Sequence, residues 1–218
     1  KNNIINWNER EKKLEELCKK FRKNDGHYDV LVPGSGGKDS IYVAHQLKYK
    51  YKMNPLLCSW SPTIITKQGK KNLKAWIDLG FNIEFNKVNK EVHRVLTKLA
   101  FLNLCHPFQP FIIGQKNFAP RVAQKNNIQL IMFGEHDAEF GSDLERWNKP
   151  TMNLDRFTQD KIDYKEIFLG GVQLNEILKK YNFTIEDIKD YLPIESDKFK
   201  SSKAEFHYYS YYKKWNFH

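Results

Sequence analysis

The sequence predicts a doubly wound α/β domain: a mainly parallel sheet with helices on both faces, followed by a small helical appendage. Three observations predict it. Short apolar runs alternate with amphipathic helical patterns from residue 28 to residue 133, the order that builds a parallel sheet covered on both sides. The first run, Val30 to Val32, breaks into Pro33, Gly34, Ser35, Gly36 and Gly37 before a helix begins, a strand–turn–helix unit that can hold an anion. The chain's 218 residues fit one such domain, or one with an appendage, and 40% hydrophobic residues are enough for its core.

The elements follow in order. Residues 7–23 place Leu14, Leu17, Cys18 and Phe21 on one helical stripe, stopped by Asn24, Asp25 and Gly26. After the first strand and its glycine turn, a helix over 39–51 presents Val43, Ala44 and Leu47 to the sheet. Pro55 to Trp60 reads as the second strand, 66–79 as a helix closed by Gly80, and 81–88 as the third strand. Residues 89–103 form a helix with Val92, Leu96 and Leu99 on one face and His93 and Arg94 on the other. The stretch Cys105 to Phe111 is expected to be irregular because of Pro107 and Pro110. A helix through Arg121, Val122 and Ala123 then leads to a fourth strand at 128–133. Beyond Gly141 the pattern changes. Residues 142–168 are polar without a period, Gly170 and Gly171 break the chain, and two short helices are expected at 172–181 and 184–192, the second opened by Thr184 with Asp187 three residues on. Glu205 to Phe217 is dense in aromatics, suited to stacking on bases, lining a sugar pocket or packing on the sheet.

Composition narrows the partners. Lys and Arg number 36 against 26 Asp and Glu, a net charge of +10, which suits a nucleotide, nucleotide sugar, acidic sugar or RNA. The lysines are spread along the chain, which argues against nucleic acid. No apolar run reaches membrane-spanning length and no secretory signal is present. Cys18, Cys58 and Cys105 are isolated, so no zinc ribbon or redox pair is encoded, and a reducing cytoplasmic setting is expected.

The glycine turn carries the chemistry. Its backbone N–H groups can approach a phosphate, Lys38 adds charge, and Ser35 and Ser40 add hydroxyl donors. It is not a Walker loop, because Asp39 follows Lys38 and Gly34 is too close to Gly37; nor is it a dinucleotide fingerprint, which needs Gly or Ala where Asp39 stands. In a doubly wound sheet ligands sit at the carboxyl ends of the strands. That makes Trp60 either an adenosine wall or a core residue. It also makes the loop Gly134, Glu135, His136, Asp137, Ala138, Glu139, Phe140, Gly141 a candidate for holding Mg²⁺, orienting a substrate or moving a proton.

The run Ser35-Gly36-Gly37-Lys38-Asp39-Ser40 resembles the signature of the ATP pyrophosphatase (PP-loop) superfamily, adenine nucleotide alpha hydrolase-like in fold. More of the chain is similar to the N-acetyl sugar amidotransferases of bacterial surface-glycan synthesis: Tyr28 to Ser40, Met53 to Leu56, Gly69 to Asn72, His106 to Phe111 with Gly114 to Asn117, the loop 134–141, Phe168 to Gly171 and Tyr211 to Trp215. His136 and Phe140 depart from that family's Asn and Tyr. Family members carry an upstream cysteine-pair segment and continue beyond Trp215, so a structural zinc and further active-site residues are expected outside this sequence.

The resemblance implies an ATP-binding domain over 1–141 and a helical, aromatic-rich extension over 142–218. It implies conversion of a sugar acetamido group to an acetamidino group, with ATP and Mg²⁺, on a nonulosonic acid or nucleotide sugar. Gly34, Ser35, Gly36, Gly37, Lys38, Asp39, Ser40, Trp60 and Gly134 would hold the nucleotide; Lys38, Asp39, Glu135 and Glu139 would act in catalysis; Asp39 and Glu135 would hold the metal. Lys116 and Arg121 would meet the acid or phosphate of the sugar. No Cys/His glutaminase constellation is evident, so a separate glutaminase partner is expected to supply ammonia. The alternative is a tRNA-modifying PP-loop enzyme of the thiolation or lysidine type.

Overall fold

The computed structural model describes residues 5–61, 64–134, 149–153 and 158–214. Helix α1 (Trp7–Phe21) is capped by the Asn6 side chain and buries Leu14, Leu17, Cys18 and Phe21. Strand β1 (Val30–Pro33) leads through the glycine turn to α2 (Lys38–His45), which runs on as a π-helical turn, Gln46–Lys50. Then come β2 (Pro55–Ser59), α3 (Lys67–Asp78), β3 (Asn82–Phe85), α4 (Lys90–Leu104), α5 (Gln109–Lys125) and β4 (Leu130–Phe133). Helix α5 begins inside the stretch expected to be irregular. Pro110 stands in the helix's first turn, where its missing N–H has no partner to lose.

After β4 the chain forms short elements: β5 (Thr158–Gln159), β6 (Phe168–Leu169), β7 (Val172–Gln173), α6 (Leu174–Tyr181), α7 (Ile185–Ile188), β8 (Ile194–Glu195), α8 (Ser196–Lys200), β9 (Glu205–Tyr208) and α9 (Tyr209–Tyr212). Thr184 and Asp187 form the reciprocal cap expected at α7. Strands β6 and β7 make a hairpin turned by Gly170 and Gly171, both at positive φ.

The main sheet has the order β3-β2-β1-β4-β9, and every pairing in it is parallel. Alternate residues of its strands point to opposite faces. Val30, Val32, Leu57, Leu130 and Met132 meet α1, α2 and Trp76 of α3 on one face. Leu31, Leu56, Cys58, Ile131 and Phe206 meet α5 and Phe199 of α8 on the other. The sheet is therefore doubly wound, as the alternation of elements predicts. Asp29, buried just before β1, accepts from the N–H groups of Lys23 and Asn54, each at 2.8 Å, and fixes the start of both central strands.

One part of the C-terminal segment differs from the expected appendage. Residues 205–208 form the fifth strand of the sheet, in register from Leu130 opposite Glu205 to Phe133 opposite Tyr208. The physical reason is the burial of the aromatic run: Phe206, Tyr208, Tyr209 and Tyr212 are each 3% exposed or less, so they cover the β4 edge rather than face water. Residues 149–153 run along the outer side of β9, with Met152 N–H donating to Phe206 O and Tyr208 N–H to Pro150 O, both at 3.0 Å.

Candidate functional site

In this strand order the chain leaves β1 for β2 on one side and returns at β4 on the other. A crevice opens between their carboxyl ends. The glycine turn fills one side of it. Gly34 N–H donates to Cys58 O at 2.9 Å and so extends the β1–β2 ladder by one residue. A Cβ on Gly34 would lie 2.4 Å from the Cβ and Oγ of Ser40 and 2.7 Å from Cη2 of Trp76. Gly36 has φ +89 and turns toward α3, where a Cβ would meet Leu73 at 3.2 Å. Gly37 is the N-cap of α2, and no side chain caps that helix. A helix start without a side-chain cap is a place where an anion can be received.

The crevice is a cleft of about 570 Å³. Gly34, Ser35, Gly37, Asp39 and Ser40 form its loop wall. Cys58 and Trp60 stand at the end of β2, and Phe133 and Gly134 at the end of β4. Of the residues expected to bind nucleotide, Gly36 is buried behind the turn and Lys38 is exposed at the start of α2; neither lines the cleft. Glu135, Glu139 and the rest of the acidic loop lie outside the described residues, as does Trp215.

Trp60 is both wall and core. It is 5% exposed, lines the cleft, and sits edge-on to Phe118 and Tyr191 with ring centroids 5.8 Å away in each case. Cys58 also lines the cleft, and burial raises its thiol pKa strongly, so it stays protonated and is a poor nucleophile. Burial likewise pushes the Cys18 thiol up to about 12.

Lys116 and Arg121 part company. Lys116 is on the cleft wall. Arg121 is not: its Nη2 donates to the carbonyls of Lys189 and Leu192, each at 2.9 Å, and clamps the turn after α7 onto α5. The arginine points to the side of α5 that carries the C-terminal elements, so the expected contact with an acidic sugar is corrected to a structural one. The stretches His106 to Phe111 and Phe168 to Gly171, matched by resemblance, also meet in a structural role. Gln109 Oε1 accepts from Gly170 N–H and Asn103 Nδ2 donates to Gly170 O, both at 2.9 Å, which seats the β6–β7 hairpin on α4 and α5.

Sequence reasoning missed Ile112, Gln115, Phe118, Phe133, Met152 and Tyr208, all on the cleft wall. A signal existed for part of this set. Ile112, Gln115, Lys116 and Ala119 fall at i, i+3, i+4 and i+7, one face of α5, but the stripe is readable only once the helix is allowed to start at Gln109. For a metal, Asp39 is the described carboxylate in the cleft. One carboxylate beside phosphate oxygens fits Mg²⁺, which keeps several waters and takes few protein ligands. Among the described residues no cluster of three or more His, Cys, Asp or Glu is arranged to hold an ion.

The fold and cleft together define the class: a doubly wound α/β protein with a glycine loop at its topological switch point. No protein-family profile matches the chain. An uncharacterized protein of Methanocaldococcus jannaschii, MJ1599, is 33% identical over 67 residues, 31% of this chain. The match spans 24% of that protein's length. Among solved structures, the NH3-dependent NAD synthetase of Campylobacter jejuni, in complex with nitrate, is similar at 16% identity with a TM-score of 0.40, over 86% of this chain and 79% of that one. The fold class rests on the strand order itself, not on that likeness. No helix among the described residues is long and apolar enough to cross a membrane.

Proposed function

We propose that this protein is an ATP-dependent N-acetyl sugar amidotransferase, which turns an acetamido group of a nonulosonic acid or nucleotide sugar into an acetamidino group. The observation that carries the reading is the loop 35–40: its signature residues stand at the β1–β4 switch point, with the uncapped start of α2 beside a cleft of the size of a small-molecule site.

The chemistry balances as follows. The acetamide oxygen attacks the α-phosphorus of ATP, a P–O bond forms, and pyrophosphate leaves. The product is an O-adenylated imidate. Ammonia adds to the imidate carbon, the C–O bond breaks, AMP departs and a proton is lost, leaving the amidine. The amide needs this activation because its own oxygen is a poor leaving group. Backbone N–H groups of the loop and the start of α2, with the Ser35 and Ser40 hydroxyls, would hold the departing pyrophosphate. Asp39 would hold Mg²⁺, which when bound offsets phosphate charge. Trp60 would wall the adenosine, and Lys116 would meet the anionic group of the acceptor. Glu135 and Glu139 remain candidates for orienting the amide, and a separate glutaminase for supplying ammonia.

The test is to incubate the protein with Mg-ATP, ammonium and a panel of acetamido sugars, free and nucleotide-linked. Acceptor-dependent release of AMP and pyrophosphate, lost in Ser35→Ala, supports the reading. ADP and phosphate would sink it. AMP release with tRNA but with no sugar would move the protein to the tRNA-modifying alternative.

A further inference from the structure

A second cavity, of about 260 Å³, lies at the carboxyl ends of β2 and β3. It shares the Trp60 side chain with the first cleft and is otherwise separate, lined by Ser61, Asn86, Lys87, Lys90 and His93 with Val88. None of its other residues belongs to the phosphate loop or to α5.

Its polar lining carries several donor groups. Asn86 Oδ1 accepts from Ser61 N–H at 2.6 Å, which leaves the Asn86 amide NH2 to donate. The Tyr191 hydroxyl, on a residue 2% exposed, is 2.9 Å from Nδ1 of His93. Placing the phenol's proton on this contact makes Nδ1 the acceptor. Burial also raises the pKa of this phenol, which keeps the proton on it. With Nδ1 accepting, the proton of the neutral imidazole sits on Nε2, which then donates as well. Lys87 and Lys90 are exposed and add two positive charges. No carboxylate lines the cavity among the described residues. The start of α4 is not the source of the donors, because Asn89 Oδ1 already accepts from Glu91 N–H at 3.1 Å.

We propose that this cavity is a second anion site that takes a small phosphate-bearing ligand, held by Lys87, Lys90, Nε2 of His93 and the side-chain amide of Asn86. Two ammonium groups, an imidazole N–H and an amide NH2 on one lining match the three terminal oxygens of a phosphate better than the two of a carboxylate. The volume is below that of sites for drug-sized ligands, so the organic part is small. The site does not depend on the reaction proposed above.

The test titrates the isotope-labelled full chain with inorganic phosphate and follows the imidazole resonances of His93, assigned by their loss in His93→Gln. A saturable shift is expected, with affinity weakened about tenfold in Lys87→Ala/Lys90→Ala, since each lysine contributes an exposed charge contact. Ser35→Ala alters the other cleft and should leave the His93 response in place. The proposal is overturned if His93 does not respond to phosphate, if it responds equally in the double lysine variant, or if its response disappears in Ser35→Ala, which would mean that it reports phosphate in the first cleft through Trp60.

Discussion

A methyl group on Gly114 would lie 2.1 Å from Cζ2 of Trp60, so the indole occupies the space that any larger residue on that turn of α5 would fill. The same ring is a wall of the cleft and packs on Phe118 and Tyr191. Gly114→Ala must therefore move either the ring or the helix. Overpacking of this kind costs about 1–3 kcal/mol. Urea unfolding should show that loss, and nucleotide binding should weaken beyond what the stability change explains. Unchanged stability and unchanged ATP affinity in the Gly114→Ala variant would show that the contact is soft.

The loop glycines should separate by mechanism. At Gly34 a Cβ would clash with Ser40 at 2.4 Å, although the backbone there has no positive φ. At Gly36 the obstacle is the backbone, φ +89, with Leu73 only moderately close at 3.2 Å. Gly34→Ala should displace the start of α2 and abolish phosphate binding. Gly36→Asn, which tolerates that φ, should retain more binding than Gly36→Ala. Isothermal titration with pyrophosphate checks both, and equal losses in the two Gly36 variants would contradict the backbone explanation.

Stability should fall with acid in two steps. Burial holds the His207 imidazole below its ordinary value of 6.5, despite the opposing pull of Glu205, with its Nδ1 2.6 Å from the Tyr212 hydroxyl. The unfolded chain then takes up this proton first, so stability declines as pH drops below about 6.5. The second step belongs to Glu11, whose carboxyl is held down to about 2 by hydrogen bonds from Lys213 and Lys50. A lowered carboxylate stabilises above its unfolded value and loses that contribution as pH falls from about 4.5 toward 2. Urea midpoints across this range should show both declines, the upper flattened by His207→Gln and the lower by Glu11→Gln.

The two basic residues of α5 should behave as opposites. Arg121→Met leaves the carbonyl of Lys189 without its side-chain donor and takes one of two donors from Leu192, which Asn117 still serves at 3.0 Å. It should cost about 1–3 kcal/mol of stability with little change in KM for the acceptor. Lys116→Met should instead raise the acceptor KM. A KM change in the Arg121 variant would place that guanidinium at the substrate after all.

The glycine turn and its four flanking strands were legible because each depends on a few neighbouring residues. Val30 to Val32 can only be buried, and Gly34 to Gly37 can only be a turn. The cleft's α5 wall was hidden by a local rule applied too far. Pro107 and Pro110 forbid a helix interior, but Pro110 falls in the first turn, where proline is tolerated. Strand β9 was hidden for another reason. Its pairing with β4 joins residues 75 positions apart in register, and nothing local marks where the aromatic run changes from strand to helix between Tyr208 and Tyr209. Tyr208 therefore reached the cleft wall unannounced.

That strand gives the last prediction. β9 covers the β4 edge along four residues, and its neighbour Tyr209 is fully buried in the core that holds α1 and α2. Arg10 of α1 is tied to the same segment, its Nη1 donating to Tyr211 O at 2.9 Å and its guanidinium 3.9 Å from the Tyr211 ring centroid. A true appendage could be removed at modest cost. A chain ending at Ala204 would instead expose the β4 edge and the faces of Phe133, Leu14 and Leu17, a loss of several large buried side chains at about 1.5–3 kcal/mol each. Against a total stability of about 5–15 kcal/mol, that loss prevents folding. Circular dichroism should find the 1–204 chain without a cooperative unfolding transition, while a chain ending at Lys214 keeps one. A cooperative transition in the shorter chain would return residues 205–214 to the status of an appendage.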